Sequence, residues 1–153
     1  MSKQQLSNFP TLTAQDIPHI AEFEREDYLW VRQQIIEAIE TGATELELFR
    51  GGETYPGAIS ITQLPAEFEL LAPKLTVLWL RNFDKLQTLP LLPLCQQLQQ
   101  LDLSGCGEIE DLTPLSGLVA LQHLDLSGCA QIEDLTPLSG LVALQYLDLW
   151  GCE

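Results

Sequence analysis

After Lys85 the sequence contains no lysine or arginine, and over all 153 residues only 7 basic side chains stand against 22 acidic ones. A net charge of −15 repels nucleic-acid phosphates and anionic lipid while drawing basic partners inward. Neither nucleic acid nor a membrane is therefore an expected partner. Long apolar runs are also missing: nowhere do about 18 consecutive apolar residues occur, which argues against a membrane span. The opening MSKQQLSNFP has no apolar core of a signal peptide, so a cytoplasmic location is expected. Histidine is nearly absent. His19 and His123 are the two in the chain, and neither falls in a Ser–His–Asp or Cys–His arrangement. Gly51-Gly52 leads into no lysine-bearing phosphate loop and reads as a turn.

What the sequence has in abundance is repetition. Residues 98–120, LQQLDLSGCGEIEDLTPLSGLVA, return as 121–143 with changes at only three positions, and a third copy begins at Leu144. A fixed period of this kind specifies a solenoid, in which each coil packs on its neighbours and function lies on an extended face. One period back, 75–97 keeps leucines at 75, 78, 80 and 89. A further step needs 32 residues, because GGETYPGAIS inserts a loop before ITQLP. Five strands are predicted, centred near 46–48, 78–80, 101–103, 124–126 and 147–149. Their L-x-L alternation turns leucines inward and the intervening residues to the opposite face. Pro114 and Pro137 fix φ on the return path, and Gly117 and Gly140 are expected to let the chain bend back.

Upstream, Tyr28, Val31, Ile35 and Ile39 recur at helical spacing within 26–41, with Gly42 as the expected C-cap. The predicted organisation is a mobile segment over 1–13, a helical N-terminal cap over 14–42, and an array of about five coils over 43–153, the last incomplete.

The L-x-x-L-x-L-x-x-C/N-x-I/L pattern resembles the leucine-rich-repeat family, and the I-x-D-L-T-P-L-x-x-L half is similar to short bacterial, internalin-like repeats. The cysteine column resembles cysteine-containing repeats. The I-x-x-A-I-x-x-G-A-T-x-L-x-L entry with LPAEF and LQTLP is similar to the start of arrays in Roco-type proteins. The resemblance implies an α/β fold, a right-handed solenoid or horseshoe with a parallel concave sheet, and a role in protein–protein recognition. Phe83 and Gly51 stand in the Cys/Asn column of the first two coils, so its side-chain ladder is expected to be interrupted there.

Cys106, Cys129 and Cys152 share one repeat position. Strands about 4.8 Å apart hold such side chains parallel, a poor fit to a disulfide. Ligands spread along a line do not surround one metal ion either. They read as reduced, buried thiols bonded weakly to carbonyls, with Cys95 another buried filler, and no metal or cofactor is expected.

The concave columns supply the candidate partner-binding residues: Phe49, Trp79, Arg81, Gln100, Asp102, His123, Asp125, Tyr146, Asp148 and Trp150. Stacked carboxylates repel one another, so a partner's Lys or Arg would relieve the column and gain charge-assisted hydrogen bonds. The aromatics are hot-spot anchors by type. The competing reading is a merely solvated strand face. Asp102 and Asp125 as a glycosidase-like pair lack a desolvating pocket, so no enzyme is expected, although paired carboxylates keep that alternative in view. A second alternative is assembly: Leu144, Leu147 and Leu149 are expected to leave an open edge, so that the chain is one piece of a longer array or forms a homodimer through its C-terminal coil.

Overall fold

The computed structural model describes residues 9–13, 15–17, 20–52 and 55–152, with the backbone alone at 50–52 and 55–56. A 3₁₀ turn at Glu22–Glu24 leads into α1 (Arg25–Thr41). Helical spacing buries Tyr28, Val31, Ile35 and Ile36 on one face. Gly42, at φ 69, closes the helix by donating its N–H to the carbonyls of Ala38 and Ile39. Of the N-terminal stretch expected to be mobile, residues 1–8 lie outside the described residues, as does His19. Residues 9–13 run along α1, where the Pro10 carbonyl accepts from Arg32 Nη1 at 3.0 Å and Leu12 packs on the core.

Five strands, β1 (Glu45–Leu48), β4 (Val77–Leu80), β5 (Gln100–Asp102), β6 (His123–Asp125) and β7 (Tyr146–Asp148), form one parallel sheet in the order β1-β4-β5-β6-β7. The sheet follows chain order and is open at both ends, as a solenoid requires. Between β1 and β4 the inserted segment is more than the expected loop: β2 (Arg50–Gly52) and β3 (Tyr55–Gly57) pair antiparallel as a hairpin. A four-residue helix, α2 (Phe68–Leu71), follows and contacts α1. The return path of each later coil is a 3₁₀ turn, at Leu92–Leu94, Thr113–Leu115 and Thr136–Gly140, each with proline in its first positions.

Leucines of the L-x-L pairs fill the interior. Leu48, Leu78, Leu80, Leu103, Leu124 and Leu126 are fully buried, and a buried leucine is worth roughly 2 kcal/mol over an exposed one. Phe83 takes the cysteine position of its coil and is fully buried. The bend after each strand falls at Gly105, Gly128 and Gly151, at φ +75°, +75° and +77°, not at Gly117 and Gly140, which have ordinary dihedrals. Asn82 holds the same place one coil earlier at φ 58, as asparagine tolerates. No described helix is long and apolar enough to cross a membrane.

Candidate functional site

In-register pairing sets two columns of side chains along the sheet. One runs Glu45, Val77, Gln100, His123, Tyr146, and the other Glu47, Trp79, Asp102, Asp125, Asp148. Each aspartate also closes its own strand: Asp102, Asp125 and Asp148 accept the backbone N–H two residues on, from Ser104, Ser127 and Trp150, each at 2.9 Å. This is an Asx-type turn, and it gives the column a local structural role beside any binding role.

The three carboxylates then diverge. Asp102 is 5% exposed, and its second oxygen accepts from Arg81 Nε at 2.6 Å while Ser104 Oγ donates to the first at 2.6 Å. Asp102 was expected to face a partner openly. It is buried and internally neutralised instead, because Arg81 is long enough to reach across to the next strand. The Arg81 guanidinium also lies 4.3 Å from the centre of the Trp79 ring, a cation–π contact. Asp148 Oδ2 accepts from the Tyr146 hydroxyl at 3.2 Å. This bond and the Asp148 charge push the Tyr146 pKa up. Asp125 is half-buried, and among the described residues the one hydrogen bond of its carboxylate is that accepted from the Ser127 N–H.

Trp79, Gln100, Asp102, His123, Asp125 and Tyr146 line one shallow concavity of about 150 Å³. The His123 and Tyr146 rings sit 5.9 Å apart, tilted by 33°. Phe49, Arg81, Asp148 and Trp150 lie outside this hollow, Phe49 and Trp150 as exposed aromatics. A larger cleft of about 320 Å³ opens between Tyr28, Leu64, Glu69 and Leu92, and none of the candidate residues lines it. It is mostly apolar.

The cysteine column forms a ladder of its own. Cys106, Cys129 and Cys152 donate to the carbonyls of Leu80, Leu103 and Leu126 at 3.0, 3.2 and 3.1 Å, each one coil back. Burial pushes the Cys95 and Cys129 pKa values up to about 12 and that of Cys106 higher still. All four thiols are free, and Cys152 alone is partly exposed. Among the described residues no group of three or more His, Cys, Asp or Glu is arranged to hold a metal ion.

Sequence reasoning missed Ser104 and Arg81 as the residues that occupy Asp102. The signal was present in the period, since Arg81 stands where Ser104, Ser127 and Trp150 stand later.

A leucine-rich-repeat family model spanning two copies of the repeat matches residues 73–117. Among solved structures, an internalin of Listeria monocytogenes is similar at 21% identity and a TM-score of 0.52, over 93% of this chain and 46% of the other. Internalin C2 of the same organism is similar at 24% identity and a TM-score of 0.51, over 76% of this chain and 62% of the other. The likeness is one of fold, and this chain spans about half to three fifths of the length of those proteins. No curated protein matches it with significance.

Proposed function

We propose that this leucine-rich-repeat protein is a non-catalytic recognition module whose concave face binds a basic protein partner. One observation carries the reading: Asp125 lines a hollow together with Trp79, His123 and Tyr146, and among the described residues no cation of the chain pairs with its carboxylate, Arg81 being held by Asp102. Aromatic rings beside a carboxylate are what a partner's basic side chains need, and the −15 net charge speeds their approach. Free, buried thiols suit a reducing, cytoplasmic setting. The same negative field disfavours nucleic acid and anionic membrane.

Affinity capture from the native cell, comparing wild type with Asp125→Lys/Asp148→Lys, tests the reading. Asp102 is left untouched, since a lysine there would bury a charge beside Arg81. A partner held by wild type and lost from the double variant is expected, with association slowed by salt. Equal recovery of every partner would overturn it.

A second reading is favoured by the β7 edge. Leu147 is 39% exposed where its equivalents Leu101 and Leu124 are buried, and Trp150 beside it is 81% exposed. That edge suits self-association. Light scattering of the isolated chain distinguishes it: a clean monomer at high concentration removes self-association.

A further inference from the structure

Arg81 shows how a guanidinium fits this surface. It leaves β4 at the position filled by Ser104 one period later, crosses to the neighbouring strand, bonds Asp102 Oδ2 at 2.6 Å and lies over the Trp79 ring. The seat consists of a carboxylate on the next coil and an aromatic plane on the sheet.

One coil further on, the carboxylate of the seat recurs without an arginine, and the place of Trp79 is taken by Asp102. Asp125 is in register with Asp102, and its Oδ1 is likewise held by the backbone N–H two residues on. Its Oδ2 makes no hydrogen bond or ion pair among the described residues. Ser104, which stands where an arginine would have to stand to reach it, turns its hydroxyl to Asp102 instead. Asp148 offers no equal acceptor, because the Tyr146 hydroxyl already bonds its Oδ2. Aromatic rings come instead from the neighbouring column, where the tilted His123–Tyr146 pair lines the same hollow of about 150 Å³ as Asp125.

We infer that Asp125 seats an arginine side chain of the bound protein, its guanidinium on Asp125 Oδ2 as Arg81 sits on Asp102, and its plane against the His123 and Tyr146 rings of the neighbouring column. The inference rests on the concave face being the protein-binding face and names the chemistry at its centre. Arginine is specified over lysine because a planar fork stacks on rings and bonds a carboxylate at once, whereas an ammonium is a hydrated point charge.

The experiment is an NMR titration of the isotope-labelled chain with the peptide acetyl-Gly-Arg-Gly-amide and its lysine and citrulline counterparts. The arginine peptide is expected to shift the amide signals of His123, Asp125 and Tyr146 saturably, and citrulline, which has the shape without the charge, to leave them in place. Asp125→Asn, which keeps an oxygen for Ser127, should weaken binding about tenfold or more. Ser104→Arg should fill the seat from within the chain and abolish uptake. Equal response to citrulline or lysine, or undiminished binding by Asp125→Asn, would overturn the assignment. No arginine response, alongside partner loss in Asp125→Lys/Asp148→Lys, would remove this seat and leave the concave face as the binding face.

Discussion

The Cys106 thiol donates to the Leu80 carbonyl at 3.0 Å, and Cys129 repeats the bond to Leu103 one coil on. These contacts join successive coils beneath the sheet, where water cannot take the thiol's place. Buried thiols whose pKa is pushed far up hold almost no thiolate near neutral pH, and thiolate is the reactive form. Timed alkylation read by mass spectrometry should therefore modify Cys152 first, with Cys95, Cys106 and Cys129 protected until the chain unfolds. Early modification of Cys106 would contradict the ladder.

The aspartate column should separate under mutation. Asp102→Ala removes a buried acceptor of bonds from Arg81 and from both donors of Ser104, a loss of about 1–3 kcal/mol. Asp125→Ala removes one backbone bond at a half-buried site and should cost about 1 kcal/mol or less. Urea denaturation of the two variants measures the difference. Equal losses would mean that the Arg81 contact adds nothing to the fold.

The period of 23 residues made the strands, their register and the buried leucines legible, because Leu78, Leu101 and Leu124 obey a local pattern that needs no tertiary knowledge. The helix under the first coil was legible for the same reason, down to Gly42. What escaped depends on reach across the chain. Arg81 finds Asp102 only through the length of its side chain, and nothing in the one-dimensional pattern separates a buried Asp102 from a half-buried Asp125. Gly117 and Gly140 looked like the flexible points, yet the left-handed turn falls where the chain leaves each strand, at Gly105 and Gly128. Arg32 and Glu67, 35 residues apart, carry no periodic signature at all.

Those glycines give a graded prediction. Any residue with a Cβ at Gly128 must adopt φ +75, at a cost of about 1–2 kcal/mol, although the nearest atoms, of Gly105, stand 3.5 Å away. At Gly105 the same Cβ would also lie 2.3 Å from Asn82 Oδ1. Thermal melts should rank Gly105→Ala below Gly128→Ala, and adding Asn82→Gly should lift the Gly105→Ala loss to the level of Gly128→Ala measured against Asn82→Gly alone. No such recovery would place the strain elsewhere.

Arg32 ties α1 to the segment that leads into α2. Its Nε donates to Glu67 Oε1 at 2.6 Å and its Nη1 to the Pro10 carbonyl, with the Arg32 side chain 6% exposed and Glu67 18%. Removing one partner of a pair this buried leaves the other charge uncompensated, at about 3 kcal/mol. Hydrogen exchange on Arg32→Ala should show α1 losing protection ahead of β5 and β6. Uniform loss along the sheet would show that α1 and the coils unfold as one unit.

Stability should fall at both ends of the pH scale, for opposite reasons. Burial raises the folded-state Cys129 pKa from an ordinary 9.0 to about 12, so the contribution of the neutral thiol is complete below pH 9 and is lost as pH climbs toward 12. At the acid end, the Thr113 and Thr136 side chains, and then their backbone N–H groups, hold the Asp111 and Asp134 carboxyls below the usual 3.8. Their contribution is present above that value and disappears as pH falls through the lowered folded-state values. Both carboxylates brace the entry to a 3₁₀ turn, where Asp111 and Asp134 accept the Thr113 and Thr136 N–H at 2.8 Å. Circular dichroism followed from pH 5 to pH 2 should show a weaker acid transition in Asp111→Asn/Asp134→Asn than in wild type. An unchanged acid limb would assign the transition to other carboxylates.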